Sequence, residues 1–547
     1  MTCLIIYITY YSYQASIFHC FVKEMQIKII QYNLVRIRQF RRMIHLAAGI
    51  LLIFLIASGC GKPITTRDIT VVYTNDLHGH ILPERIRDWS NKTGGYAVFA
   101  GWLKGVRRKN MEKKIPTLLL DAGDIFTGTV EGSITRGKAI VRLMNLAGYD
   151  AMTLGNHEFD FGFYNLQQLA KTANFPFLGA NVRRKKTNRL LSFSSPYIVK
   201  RYDGLTVGVI GVTTAEVPSI TLARNVGQVI FQDPISTVQT YQRLLKQEGV
   251  DLLIVLSHLG LEEDKKMARA VPKIDLIIGG HSHDLLVKPM RVGNRDTLIC
   301  QAGSYGRFAG RIDLQVDTDS DEIADYRAKI FTNQQYSLQG DLAVNQVLEN
   351  IKKEVGDEYS RVVGLAIDDI NNASDAESPL GDLITDAVRD RARVDVAFQN
   401  PYGIRSDLLE GDITRRDIFK ILPFDDTIIT MKLSGQNIRG LLEQSLTLRK
   451  GLRQISGLRV TYTMDRPEGE RVLEIKVDGD PLEDEAGYTI ATNGFLADGG
   501  DFFQSFKAGT NRRDTGILLR QAVTDYISTH TPIYLRSDSV RRWVSRE

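Results

Sequence analysis

Nine histidines are spread over 547 residues, and six of them fall in short polar stretches that each follow an apolar run. "VVYT" leads into Asn75-Asp76-Leu77-His78-Gly79-His80, and "TLLL" into Asp121-Ala122-Gly123-Asp124. "AMTL" leads into Gly155-Asn156-His157-Glu158-Phe159-Asp160, "LLIVLS" into His258, and "LIIGG" into His281-Ser282-His283-Asp284. His19 and His45 lie in the first 59 residues, and His530 stands alone near the end. One histidine taken singly is more often a hydrogen-bonded core or surface residue than a ligand. Six gathered at equivalent positions are not a chance distribution. The donor set is Asp, Asn and His without cysteine. Imidazole suits zinc, nickel, copper and iron, and carboxylate suits harder ions such as manganese and magnesium, so the mixture fits a pair of borderline divalent ions. One carboxylate shared by two ions about 3.5–4 Å apart can clamp both oxygens of an in-line displacement at phosphorus.

These stretches need a scaffold that brings strand ends together. From Ile69 to about Phe331, β-branched, nearly continuous apolar runs ("ITVVY", "TLLL", "AMTL", "FLGA", "LTVGVIGV", "LLIVLS", "LIIGG") alternate with helical patterns such as "KAIVRLMNLAG" and "PISTVQTYQRLLKQEG". Buried strands read this way, and the alternation predicts a layered α/β domain. All five polar stretches sit at the C-terminal ends of their runs, where open α/β sheets bind ligands. "GDLAVNQVLENIKKEVGDE", residues 340–358, reads as an amphipathic connecting helix. Beyond it, a helix in "LGDLITDAVRDRA" and short strands in "VDVAF", "TIITMKL", "LRVTYTM", "VLEIKV" and "YTIATN" predict a separate α+β domain. The expected divisions are a leader over 1–59, a tether over 60–67, an α/β domain over 68–331, a linker over 332–361 and a C-terminal domain over 362–547.

Composition is that of an ordinary globular chain, with 43% hydrophobic and 24% charged residues. The net charge of +5 comes from the leader: residues 1–59 hold six Lys/Arg and one acid, leaving the remainder balanced. No nucleic-acid polymer is expected as a partner. In the leader, basic "RQFRR" precedes apolar "MIHLAAGILLIFLI" and then "ASGC". That is a signal-peptide pattern, its apolar run shorter than the ~20 residues of a spanning helix. "IASGC" resembles the bacterial lipoprotein signal, with Ala57 where Leu is more usual. It implies cleavage before Cys60, lipidation of Cys60 and a membrane-anchored protein of the bacterial cell envelope. An uncleaved anchor and an ordinary signal peptide are the alternatives. Residues 1–24 fit no signal pattern, and one reading starts the chain at Met25 or Met43. With Cys60 lipidated, only Cys300 remains beyond the leader, where it is expected to be a core residue without a disulfide.

In order along the chain, "YTNDLHGH", "LLLDAGDIFTGT", "LGNHEFDFG", "LSHLG" and "GGHSHD" resemble the motifs of the metallophosphatase superfamily, and their sequence is similar to that of its 5′-nucleotidase family. The likeness continues in "GDLITDA", "NPYGIRSDL", "GDITRRDIFKILPFDDT" and "NGFLADGGDFF", covering about residues 68–530. It implies an α/β/β/α catalytic domain followed by an α+β substrate-binding domain. By position, it implies one metal on Asp76, His78 and His283, a second on Asn156, His258 and His281, and Asp124 between them, with zinc or manganese as the ions. Asp76 and His78, two apart, would face one side of an extended segment. His157 and Asp160 match the catalytic dyad. An imidazolium there stabilises charge on phosphoryl oxygens, and the carboxylate orients the ring and favours its charged form. Asp121, Glu158 and His80 are expected to brace the loops. Phe424 and Phe495 match the pair that sandwiches a nucleobase, Asn400, Gly403 and Arg405 the "NxxGIR" contacts to base and phosphate, and Asp501 a ribose acceptor.

The activity implied is two-metal hydrolysis of a nucleoside monophosphate to nucleoside and phosphate. The chain departs from the family pattern in "DAESPLGD", with Ala376 before Glu377, Pro379 for Asn and Asp382 for the last Asn, and in Pro401 and Tyr402. These departures keep three alternatives open: a 2′,3′-cyclic-nucleotide phosphodiesterase/3′-nucleotidase, a UDP-sugar hydrolase and a sulfur-compound hydrolase. An inactive nucleotide-binding lipoprotein would lack reason to keep all seven donors and the dyad.

Overall fold

The computed structural model describes residues 22–25, 65–86, 92–293, 296–334, 340–448, 451, 454–534 and 541–546. Met1–Thr65 form one unit and Thr66–Glu547 another. Of the first, only the helical stretch 22–25 and Thr65 are described, so the signal segment and Cys60 lie outside the described residues.

In the second unit the apolar runs become two six-stranded sheets. The first has the order Glu322–Thr332, Phe308–Asp317, Thr66–Thr74, Thr117–Asp121, Ala151–Thr153, Phe177–Leu178. The second runs Met290–Val292, Thr297–Cys300, Leu276–Gly279, Leu252–His258, Leu205–Thr213, Tyr197–Tyr202. Thr66–Thr74 pairs in parallel with Thr117–Asp121 and antiparallel with Phe308–Asp317. Alternation along each strand sets the layers. Ile69, Val71, Tyr73, Leu118 and Leu120 of the first sheet pack with Val207, Val209, Ile254, Leu256 and Ile278 of the second. Val72 and Leu119 turn the other way, onto Phe99, Leu103, Ile140 and Met144 of the helices Gly95–Glu112 and Lys138–Ala147. On the far side, Ile210, Val255 and Ile277 meet Val238, Leu245 and Met267 of the helices Pro234–Gln247 and Leu261–Ala270. Four layers, α/β/β/α, result. Both faces of each sheet are covered, which is why the strands read as unbroken apolar runs. Cys300 is a free thiol buried between the sheets.

The connecting helix spans Leu342–Val355, capped by Asp341, whose carboxylate accepts from the Ala343 and Val344 amides. Its apolar face, Val344, Leu348 and Ile351, is buried in the same core as Phe99 and Ile140. By packing it belongs to the N-terminal layers.

The C-terminal part is built on a five-stranded sheet in the order Gln454–Ser456, Val396–Gln399, Gly487–Asn493, Thr427–Ser434, Thr510–Leu518. Helices Pro379–Ala392 and Leu519–His530 cover one face. Helix Gly435–Ser445 and a small four-stranded sheet cover the other. Pro379 occupies the first turn of its helix, where a missing N–H is harmless, and Ser378 caps it by accepting from the Gly381 amide. Glu377 accepts the Arg542 and Trp543 amides at 2.7 and 3.1 Å, and Asp382 lies 3.3 Å from the Arg542 guanidinium. Glu377 and the departure Asp382 in "DAESPLGD" therefore dock the last described strand, Trp543–Ser545.

Candidate active site

The strand ends deliver their side chains to one point. Asp76, His78 and His283 present ligand atoms within 4.8 Å of one another, as do His78, Asp124 and His157, and again Asp124, His258 and His281. Asp124 is common to two of these groups. Asn156 joins the third through Oδ1, 2.9 Å from His281 Nδ1 and 3.3 Å from His258 Nε2. All seven expected donors are thus brought together, but the local geometry is not the extended one anticipated for Asp76-x-His78. Both residues have φ of 49°, in the left-handed region, as do Asp124 (58°), His281 (75°) and His283 (60°). Side chains rarely adopt this conformation outside turns, and holding it costs about 1–3 kcal/mol per residue. Loop hydrogen bonds enforce it: the His78 amide donates to the Asp124 carbonyl, and the His281 amide to the Asp76 carboxylate.

Two buried carboxylates stitch the loops. Glu158 accepts the amides of Asp124 (2.9 Å), Ile125 (2.9 Å) and Gly155 (2.6 Å). Asp121 accepts the Gly123 amide at 2.8 Å and the Thr74 hydroxyl at 2.6 Å. Gly155 is required by close approach: a Cβ there would collide with the Asp124 carboxylate and stand 2.7 Å from its amide nitrogen.

The donor chemistry fits divalent cations. His78 Nδ1 donates to the Thr127 carbonyl and His258 Nδ1 to the Ala122 carbonyl, so in each neutral ring Nε2 is bare. His258 Nε2 then faces Asp124 Oδ2 at 3.1 Å and Asn156 Oδ1, while His78 Nε2 faces His283 Nε2 at 3.1 Å. The bare Nε2 of His258 so close to a carboxylate and an amide oxygen calls for a positive charge between them, and the bare Nε2 of His78 offers a lone pair to a cation. Without an ion a proton must serve. Burial opposes charge on His258, yet Asp124 beside it raises the ring to about 10. Burial also works against the Asp124 carboxylate, but His258 and His157 hold it well below the usual range. Burial, then the Arg405 guanidinium, keeps His78 neutral.

His157 stands at the edge of the cluster, Nε2 4.0 Å from Asp124 Oδ2 and Nδ1 2.7 Å from Asp160 Oδ2. Although burial disfavours its charge, Asp160 and Asp124 raise its pKa. A cavity of about 940 Å³ opens from Asp124, Asn156, His157, His281 and His283 to Asn400, Arg405, Phe424, Phe495 and Asp501 across from them. Arg405 reaches furthest, Nη2 lying 3.3 Å from His78 Nε2. Phe424 lies 5.7 Å from His157, ring planes 22° apart. The Asn400 side chain is engaged at both ends, donating to Asp501 Oδ2 at 3.0 Å and accepting from Asn493 at 2.8 Å. Gly403 lets the chain fold over it, since a Cβ would stand 2.8 Å from Asn400 Oδ1.

Residues 69–285 match the calcineurin-like phosphoesterase family and residues 361–508 the 5′-nucleotidase C-terminal domain. A snake venom 5′-nucleotidase from Crotalus adamanteus is 31% identical over 84% of this chain and 86% of its own. The chain belongs to the calcineurin-like 5′-nucleotidase family. A 5′-nucleotidase precursor of known structure from Thermus thermophilus superposes with a TM-score of 0.80 at 32% identity, over 87% of this chain and 99% of that one. A trifunctional nucleotide phosphoesterase of Bacillus subtilis is 30% identical over 84% of this chain, which spans 34% of that longer protein. Like its relatives in the 5′-nucleotidase family, the chain is a phosphoric ester hydrolase.

Against this family background, sequence reasoning missed several cavity residues: Arg224, Tyr305, Asn372 and Asp426. Asp426 accepts the Phe495 amide, so it joins the loop carrying Phe424 to the one carrying Phe495, and burial pushes its carboxyl up to about 7. Two residues after Phe424 in "LPFDD", it carries no spacing signal of its own. Pro401 and Tyr402 line the cavity, whereas Ala376, Glu377, Pro379 and Asp382 do not.

Proposed function

We propose that the chain hydrolyses nucleoside monophosphates to nucleoside and phosphate with two divalent ions, zinc or manganese. Asp76, His78 and His283 would hold one ion, Asn156, His258 and His281 the other, and Asp124 both. Bound there, the ions supply Lewis acidity toward phosphoryl oxygens and activation of water. One observation carries the reading. The Arg405 guanidinium and the donor cluster converge on the same ring nitrogen of His78, 3.3 Å from Nη2. An ion held on that nitrogen would face the Arg405 guanidinium, and a phosphoryl group has the oxygens to meet an ion on one side and a planar fork of donors on the other.

The remaining residues then divide the work. His157, tethered to Asp160, turns Nε2 toward the cluster and donates a hydrogen bond to a phosphoryl oxygen as charge builds. Phe424, beside His157, and Phe495 both line the cavity, and aromatic rings there could stack on a base, which supports a nucleoside as the leaving alcohol. Asp501 is the ribose acceptor in this reading. The tie between Asn400 and Asp501 supports the two acting as a pair.

The deciding experiment is a phosphate-release screen over nucleoside monophosphates, 2′,3′-cyclic nucleotides and sugar nucleotides. Zinc, manganese or magnesium is restored after chelation. Release from monophosphates above the other classes supports the proposal, and no release from any phosphoester with any ion would sink it. We also propose export and lipid anchoring at Cys60, a reading that rests on the leader sequence.

A further inference from the structure

Tyr305 sits in "GSYGRF", on the loop between the strands Thr297–Cys300 and Phe308–Asp317. No motif announces it, yet the structure holds it tightly. Its φ is 62°, in the left-handed region, which a bulky aromatic residue adopts only when its surroundings fix it. Its amide donates to the Asp76 carbonyl at 2.7 Å. The ring touches three histidines, with centroids 5.6 Å from His78, 4.5 Å from His80 and 5.3 Å from His283. Arg307 covers the ring with its guanidinium carbon 5.1 Å from the centroid. The phenol leaves this cluster and crosses to the C-terminal part, donating to the Arg405 carbonyl at 3.4 Å. The Arg405 amide is fixed from its other side by the Ile421 carbonyl at 2.9 Å.

We propose that Tyr305 is a positioning residue: its ring orients the donor histidines His78 and His283, and its hydroxyl sets the Arg405 backbone so that the guanidinium meets the phosphoryl group. The inference rests on the phosphate-facing role proposed above for Arg405. Ring and hydroxyl do separable jobs, which makes the idea testable. If the residue merely filled space, phenylalanine would replace it without effect.

The test uses the full chain, stripped with a chelator and reloaded with manganese, in wild-type, Tyr305→Phe and Tyr305→Leu forms. Binding of inorganic phosphate is measured by calorimetry, ion loss by the rate of release to a chelator, and kcat and KM on a nucleoside monophosphate. Tyr305→Phe keeps the ring and loses one neutral hydrogen bond, so its phosphate Kd and its KM rise about three- to tenfold. Its kcat stays within about twofold, since no reacting atom is touched, and its ion loss matches wild type. Tyr305→Leu shows the same weakening of phosphate and, in addition, releases manganese at least about threefold faster, as the aromatic contacts to His78 and His283 are gone. Phosphate affinity of Tyr305→Phe equal to wild type would overturn the proposal. So would ion loss from Tyr305→Phe as fast as from Tyr305→Leu, or ion loss from Tyr305→Leu at the wild-type rate. Phosphate binding and ion release need no turnover. Should the monophosphatase reading fail, those two measurements still decide the role of Tyr305.

Discussion

Replacing Glu158 with glutamine exchanges one oxygen for an NH₂ group in a place where the difference cannot be hidden. Oε2 accepts two amides, from Asp124 and Gly155, and Oε1 accepts one, from Ile125. The best glutamine rotamer keeps its carbonyl toward the pair. Its NH₂ then opposes the Ile125 N–H in a site with 0% exposure. Two donors are left without acceptors, at about 1–3 kcal/mol each. Part of this is offset because the carboxylate is itself costly there: burial, then Asp124, raises its pKa to about 7. The net loss expected is roughly 2–4 kcal/mol, a fall of roughly 5–10 °C in the melting temperature of a domain of this size. Function should suffer beyond stability. The amides concerned belong to Asp124 and to the turn that carries Asn156, so Glu158→Gln at a temperature where it is fully folded should bind metal at least about tenfold more weakly. Calorimetric melting with and without manganese, with a metal titration of the chelated protein, measures both. Melting within 1 °C of wild type together with unchanged metal affinity would refute the claim that this carboxylate shapes the site.

Further outcomes follow from other groups. His157→Ala should lower phosphate release by about 10²–10⁴-fold while phosphate and metal still bind, and activity within tenfold of wild type would remove His157 from the mechanism. Burial raises the Asp275 carboxyl to about 7. A carboxyl raised on folding favours the folded state only while protonated, so stability falls as pH climbs from about 4 to about 7. Asp275→Asn should flatten that part of the stability–pH curve, and an unchanged slope counts against it. Cys60→Ser should abolish incorporation of labelled lipid and partition into membranes, and continued labelling would exclude this cysteine as the anchor site.

What the sequence discloses here depends on the range of the interaction. Strand ends after "VVYT", "TLLL", "AMTL", "LLIVLS" and "LIIGG" are legible because an apolar run followed by polar donors is a local pattern. The convergence of their histidines could be inferred from number alone. Pairings between distant segments left no such trace. Thr66–Thr74 lies between a parallel neighbour nearby in sequence and an antiparallel one more than two hundred residues on, and nothing in "FAGRIDLQVD" announces the second partner. The helix Leu342–Val355 showed its amphipathic face, but which core would bury that face was not readable. Asp382 looked like a substitution at a substrate site, and Arg542, the shared partner of Asp382 and Glu377, lies over 150 residues away. Tyr305 and Asp426 were missed for the same reason, since each acts by touching a loop from another part of the chain.

Five of the seven proposed metal donors sit on left-handed backbone. That conformation is uphill for each residue alone, and it is kept by the sheets and by Glu158 and Asp121 beneath the loops. Much of the cradle's shape is thus held by the protein's own hydrogen bonds. Unlike small domains that fold around their metal, a protein built this way is expected to survive removal and return of its ions without unfolding. On the two-ion proposal, the ions would be exchangeable occupants, and which of them the site carries would be set by the supply in the surrounding medium as much as by the ligands.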